Sequence, residues 1–287
     1  MRRAFLKGLV AALAGLTKVT QRWGCTQLGW PRSSMRYQER PRPRDERLKP
    51  LLARLALTQS RFGVRRIHQE VLKVEQVCRA TIERLWRTMQ LQVPLRPRRA
   101  KRIRTLAPVK ALRARHVNHV WCLDFLKDRT RDGRMLRFLS VADECTRRCL
   151  ALDVDLRFRA VDVVAVLARL VMVYGKPVFV RSDNGPEFVA KEVAAWAARE
   201  GIVLVRSAPA SPWQNPFIES FHSRLRDELI EQEDFGSLAE ARELARAYRE
   251  WYNDERPHSA LKYLTPAAFT IRARTLGFGE LSPAEAT

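Results

Sequence analysis

Val120-Trp121-Cys122-Leu123-Asp124-Phe125 reads as a buried β-strand with a single carboxylate set into it. Arg137 to Val141 and Cys149 to Val154 carry the same strand signature, and a polar turn from Asp128 to Gly133 separates the first two. Ala160 to Tyr174 is then an apolar helix, and Val178 to Val180 a short buried strand. Glu187 to Glu200 predicts a second helix, Gly201 to Val205 another strand, and Asn215 to Glu233 a third helix reached through a Pro209-to-Pro216 loop. Three strands in succession followed by strand–helix alternation predict an α/β fold, a mixed sheet with helices on both faces. Residues 237–253 add a long amphipathic helix.

Upstream of this body the composition changes. The 287-residue chain has 53 Lys+Arg against 31 Asp+Glu, a net charge of +22. Residues 1–115 hold 29 of the basic and 6 of the acidic residues, so they carry +23 and the remainder −1. A basic first part joined to a neutral, more apolar second part suggests a grip on a polyanion attached to something else. Residues 9–37 read as two short helices around a break between Gly24 and Gly29, with Pro31-Arg32-Ser33-Ser34 opening the second. Arg32 and Arg36 would project from it as a helix-turn-helix reader needs. Residues 38–50 read as a proline-broken linker, helical periodicity returns from Leu48 to Leu91, and Arg96 to Arg104 packs six basic residues into nine. Arg98, Arg99, Lys101 and Arg102 in that run are candidates for neutralising phosphates. The expected organisation is an all-α DNA-binding region over 1–95, a basic linker over 96–117, a catalytic core with its C-terminal helix over 118–270, and a tail over 271–287.

The N-terminus, Met1-Arg2-Arg3-Ala4-Phe5-Leu6-Lys7, resembles a twin-arginine export signal. Leu6, Leu9, Val10, Leu13 and Leu16 fall at helical spacing, and a nucleic-acid grip makes little sense outside the cell, so a helix is the expected reading and the signal a coincidence. Five irregularly spaced cysteines argue against a disulfide scaffold. No run of eighteen apolar residues occurs, so no membrane span is expected. A cytoplasmic, nucleoid-associated protein fits these features.

Three acids stand out by position. Asp124 lies inside an apolar strand, where a carboxylate is costly unless paired or ligating metal. Asp183 follows the strand ending at Arg181, where an α/β sheet places functional side chains. Glu219 lies in the first turn of the third predicted helix, on one face with His222, Ser223 and Arg226, while Ile218, Phe221, Leu225 and Leu229 form the packing stripe. Singly, each acid has a structural explanation: an edge-strand charge, a turn former, a helix-dipole acid. Together, three carboxylates at one sheet end can hold two hard divalent ions and serve in-line phosphoryl displacement. His116, His119, Cys122, Cys145 and Cys149 lack the close pairs of a zinc knuckle, and no phosphate-cradling glycine loop occurs.

Thirty-five residues separate Asp183 from Glu219, and Asp124 sits in a Trp-x-x-Asp-Phe strand. This resembles the Asp-Asp-Glu core of retroviral-type integrases and insertion-sequence transposases. Arg181-Ser-Asp-Asn-Gly-Pro-Glu-Phe188, Ile218-Glu-Ser-Phe-His-Ser-Arg-Leu-Arg-Asp-Glu228 and Tyr252-Asn-Asp-Glu-Arg-Pro-His-Ser-Ala-Leu261 with Leu264-Thr-Pro266 are similar to signatures of the insertion-sequence-three family, second-frame product. Phe62-Gly63-Val64-Arg65-Arg66-Ile67-His68 resembles its second helical module, and the likeness covers about residues 20–270. Departures lie at Asn215-Pro216-Phe217, for the usual Asn-Gly-aromatic, and at His222-Ser223, for the usual Asn-Gly.

The resemblance implies a ribonuclease H-like core in which Asp124, Asp183 and Glu219 are catalytic and ligate two magnesium or manganese ions. It implies a transposase that nicks and transfers strands at the element's terminal inverted repeats and into target DNA. Arg226 is implied as a phosphate contact, with Asn184 and Glu187 lining the same cleft. The partners implied are DNA, a first-frame protein or frameshift fusion, and further copies of the chain on DNA. Three other readings stay open at this point: a catalytically inactive DNA-binding regulator, a metal-dependent nuclease of the same fold, and a glycosidase-like acid pair.

Overall fold

In the computed structural model, residues 5, 8–12, 20–36, 42–92, 112–206 and 215–276 are described. The chain divides into two compact units, Met1–Leu51 and Leu52–Thr287. In the first, Gly8 to Ala12 are helical, and α1 (Gln21–Gln27) and α2 (Arg32–Arg36) follow. The Thr20 hydroxyl caps α1 by accepting the Trp23 N–H at 3.4 Å. Val10 packs with Cys25 and Met35 into a small core, so this part of the N-terminal apolar stretch is helix interior. The break lies later than the sequence suggests: Gly24 is inside α1 with Val10 packed against it, and the chain turns at Leu28 and Gly29, where φ is +58°. Arg32 and Arg36 are exposed and Met35 is buried. The expected linker over 38–50 is also corrected, because α3 spans Pro43–Thr58. Proline is tolerated in a first helical turn, and Asp45 and Glu46 complement the dipole there.

The second unit contains α4 (Val64–Leu72) and α5 (Arg79–Thr88), then the sheet. Its strands are β1 (Val120–Arg129), β2 (Met135–Asp143), β3 (Cys149–Asp155), β4 (Phe179–Ser182) and β5 (Val203–Arg206). The order is β3-β2-β1-β4-β5. β1, β2 and β3 run antiparallel as a meander, whereas β4 and β5 join parallel to β1. β1 is therefore central, which removes the edge-strand explanation of Asp124. The β1–β2 hairpin continues past Phe125 to Arg129, closing at Gly133, whose φ of +86° suits glycine.

Strand alternation sorts the core into two layers. Trp121, Leu123, Leu139 and Val141 face α6 (Ala160–Tyr174) and the helices α7 (Pro186–Val189) and α8 (Lys191–Glu200). Cys122, Leu126, Phe138 and Ala142 face α9 (Pro216–Leu225) and α10 (Leu238–Asp254). The single helix expected over 187–200 is broken at Ala190. Phe188 and Val193 both reach one core, and five residues of unbroken helix would turn them about 140° apart. The helix expected over 215–233 is likewise split. A π-helical turn, Arg226–Ile230, follows α9, and α11, the last helix among the described residues, spans Pro266–Leu276.

A buried charge cluster holds α4 to this body. Glu228, in the π-helical turn, takes two 2.6 Å hydrogen bonds from the Arg256 guanidinium. Arg66 of α4 stands 3.8 Å from the same carboxylate, and both guanidiniums lie over the Phe62 ring, which itself faces Trp251. Burial, with Arg256 alongside, lowers the Arg66 pKa to about 10. Removing one member of a buried pair strands the other charge. Glu228→Ala is therefore expected to lower the unfolding free energy by about 3–5 kcal/mol, read as a fall in urea midpoint; an unchanged midpoint would refute that weight.

Candidate active site

The parallel ladder between β1 and β4 ends with Cys122 opposite Arg181. Asp124 and Asp183 each lie two residues beyond that pair, so the topology brings the two aspartates to neighbouring strand positions. Arg181 is buried in an ion pair with Glu144 at 2.7 Å, which anchors the strand leading to Asp183. Asp183 then accepts the Gly185 N–H at 3.0 Å, closing a tight turn. A Cβ at Gly185 would come within 3.2 Å of that carboxylate and 3.4 Å of Glu187, so glycine keeps the space between the two acids open.

Glu219 arrives from the opposite layer. Asn215 is buried, donates from its side chain to the Leu123 carbonyl at 3.4 Å, and accepts the Glu219 N–H on its own carbonyl. It thus pins the start of α9 beside Asp124. Pro216 occupies the first helical turn, where its missing N–H has no partner to lose. The substituted Asn-Pro-Phe sequence is accommodated as a helix start.

Asp124 is the most constrained of the three. One oxygen accepts the Phe125 N–H at 2.7 Å, and the other lies 3.4 Å from His222 Nδ1. Desolvation pushes its pKa up to about 6, opposed by the Phe125 N–H, with Asp183 and Glu219 adding repulsion and Arg226 opposing them. Desolvation also raises Glu219. His222 corrects the expectation that it shares the open face with Glu219. It is 4% exposed, turned inward, and shares a 3.1 Å hydrogen bond with Ser140, the residue paired with Asp124 across β1 and β2. Burial, and then Arg226, lower its pKa to about 4, so the ring is neutral and the Asp124 contact is not an ion pair. Ser140 carried no signal in the sequence beyond its strand position.

Ile218, Phe221, Leu225 and Leu229 form the buried stripe of this segment. Arg226 is exposed at the start of the π-helical turn, and its charge is felt at Asp124. Asn184 is exposed beside Asp183. Arg32 and Arg36 belong to the first unit, and Arg98, Arg99, Lys101 and Arg102 lie outside the described residues. The C-terminal signature is built into the core. Asn253 bonds both backbone groups of Cys149, Arg256 holds Glu228, and His258 stacks edge-on to Tyr252.

As donors, three carboxylates suit hard divalent cations, and the repulsion that Asp183 and Glu219 exert on Asp124 is what a bound cation would relieve. Among the described residues no three such side chains already converge on one point. Asp183 and Glu219 are exposed.

These features are those of an integrase-type polynucleotidyl transferase core. Two family models, both described as integrase core domain, match residues 114–212 and 200–266. The insertion element IS407 uncharacterized 31.7 kDa protein of Burkholderia multivorans is 34% identical over 267 residues, covering 92% of this chain and 95% of that protein. The putative transposase InsD for insertion element IS2E of Escherichia coli is 31% identical over 160 residues, 53% of this chain and 73% of that protein. Among solved structures, the simian T-cell lymphotropic virus intasome in complex with PP2A regulatory subunit B56 gamma shares the fold. Its TM-score is 0.50 at 12% identity, over 76% of this chain and 74% of that one. The chain belongs to the insertion-sequence transposases with an integrase catalytic core, and its activity is DNA transposition.

An acid whose folded pKa exceeds its unfolded one binds its proton more tightly when folded, so stability falls as pH rises from about 4 to about 6 and stays low above. Asp124→Asn is expected to raise metal-free stability at pH 7 by roughly 2–3 kcal/mol. Thermal melts in chelator should show the gap opening across that window and closing at pH 4.

Proposed function

We propose that Asp124, Asp183 and Glu219 are the catalytic residues of this transposase and hold two magnesium or manganese ions. The observation that carries this is the topology: Asp124 in β1 and Asp183 just past β4 lie at neighbouring strand positions, and Asn215, bonded to the Leu123 carbonyl, brings the start of α9 and Glu219 to the same end of the sheet. When bound, such ions polarise the scissile phosphate and make water or a 3′-hydroxyl a better nucleophile. Asp124, held at one oxygen by the Phe125 N–H and with His222 3.4 Å from the other, would supply the more buried ligand beside the exposed Asp183 and Glu219. Neutral His222 bears on Asp124 without competing for cations, and Asn215 sets the reach of Glu219.

The reaction is a nick at the element's terminal repeat, in which water attacks the scissile phosphorus and displaces the 3′ oxygen of the element's strand, leaving a free 3′-hydroxyl there and a 5′-phosphate on the flanking DNA. That hydroxyl then displaces another phosphodiester oxygen in target DNA, so one bond forms as one breaks. Arg226 and Asn184, beside the acids, would contact phosphates of the reacting strand. Arg32 and Arg36 on α2, with Arg98, Arg99, Lys101 and Arg102, would hold DNA away from the cut. A first-frame protein or fusion and further copies of the chain complete the assembly on DNA.

End-labelled terminal-repeat DNA incubated with protein and magnesium or manganese should give nicked and joined products, both lost in chelator. Glu219→Gln, Asp183→Asn or Asp124→Asn should each reduce them by more than about a thousandfold while DNA binding persists. Cutting without joining would indicate a nuclease. DNA binding without cleavage by the wild-type chain, even with its first-frame partner added, would indicate an inactive regulator.

A further inference from the structure

Arg137 lies on the side of β2 away from His222 and carried no functional signal in the sequence. Its guanidinium lies 4.0 Å from the centre of the Phe125 ring and pairs with the Glu187 carboxylate. Phe125 is the residue after Asp124, and its ring stacks on Phe188 at 5.0 Å with 16° between the planes. Phe188 follows Glu187 in α7, the one-turn helix that begins three residues after Asp183. The contacts therefore form a closed loop: Asp124's neighbour holds Phe188, Phe188's neighbour holds Arg137, and Arg137 lies back across Asp124's neighbour. Both side chains of the pair are more than four-fifths buried, and the Arg137 hydrogen bond holds Glu187 below the usual carboxylate range.

A four-residue helix has little stability of its own, so what sets the position of Asp183 must come from outside α7. Asp124 and Asp183 also repel each other, which favours their separation until cations arrive. We infer that Arg137 is a positioning residue: by clamping Glu187 across Phe125 it fixes the Asp183 turn against β1 and so sets the separation of the two aspartates before metal binds. This rests on the reading of Asp124 and Asp183 as metal ligands. It adds a residue that touches neither DNA nor ion, on the opposite face of the sheet from His222.

The test is manganese binding by the full chain, followed by calorimetry and by the electron paramagnetic resonance of free Mn²⁺, without DNA. Arg137→Met keeps apolar cover over Phe125 and removes the charge; Glu187→Gln keeps shape and hydrogen bonding and removes the other. Each is expected to weaken Mn²⁺ binding about tenfold, in the range seen when a ligand's supporting partner is lost. The double variant should lose no more than either single one, because both act through one contact. Arg169→Met breaks a more exposed ion pair, with Asp153 on the edge strand β3, and should leave Mn²⁺ affinity unchanged; the urea midpoint of each variant, measured beside its affinity, separates positioning from a general loss of stability. Wild-type affinity in folded Arg137→Met and Glu187→Gln, or losses that multiply in the double variant, would overturn the inference. Asp183→Asn distinguishes the two levels. If it abolishes Mn²⁺ binding while Arg137→Met changes nothing, only the clamp falls; if it too leaves binding intact, the metal reading falls and takes the clamp with it.

Discussion

A carboxylate placed in the central strand of a sheet is opposed by desolvation, and two further acids brought to the same end add repulsion. Asp124 bears both costs. The fold gives it a backbone N–H on one oxygen and a neutral imidazole beside the other, with a guanidinium, Arg226, near enough to be felt. None of these cancels the repulsion fully, so a cation placed there would relieve it. Its neighbours are correspondingly rigid: the buried Arg181–Glu144 pair under β4, Asn215 at the head of α9, and Ser140 behind His222.

The same logic extends outward from α9. The π-helical turn that follows it carries at its middle a buried carboxylate, Glu228, which needs the buried Arg256 and gathers Arg66 and Phe62 from the preceding helical module. Such turns often accompany functional sites. Here the helix that carries Glu219 continues directly into the segment that fastens α4 to the catalytic body. The C-terminal signature around Tyr252 to His258 is partly explained by this packing: Tyr252, Asn253 and Arg256 are internal ties, while Asp254 and Glu255 are exposed.

Much of the architecture was legible because its signals are local. The apolar run of β1 exposed Asp124 as a polar residue among apolar ones, and α6 was marked by its apolar stretch from Ala160 to Tyr174. The stripe of Ile218, Phe221, Leu225 and Leu229 was legible for the same reason. What escaped depends on long-range geometry. Periodicity put His222 on the face of Glu219, yet the helix lies close enough to β1 for its ring to turn in toward Asp124. The break at Ala190 arises because two core residues five apart must face one sheet. Prolines suggested a linker where Pro43 in fact starts a helix. Arg137 and Ser140 are ordinary strand residues until their cross-strand partners are known.

The most direct test of the account is a crystal grown with manganese, with anomalous scattering recorded at the metal edge. The account expects two peaks enclosed by Asp124, Asp183 and Glu219, with the latter two side chains rotated onto them and Asp124 in its present orientation. Peaks held by other residues, or none at this end of the sheet, would contradict it.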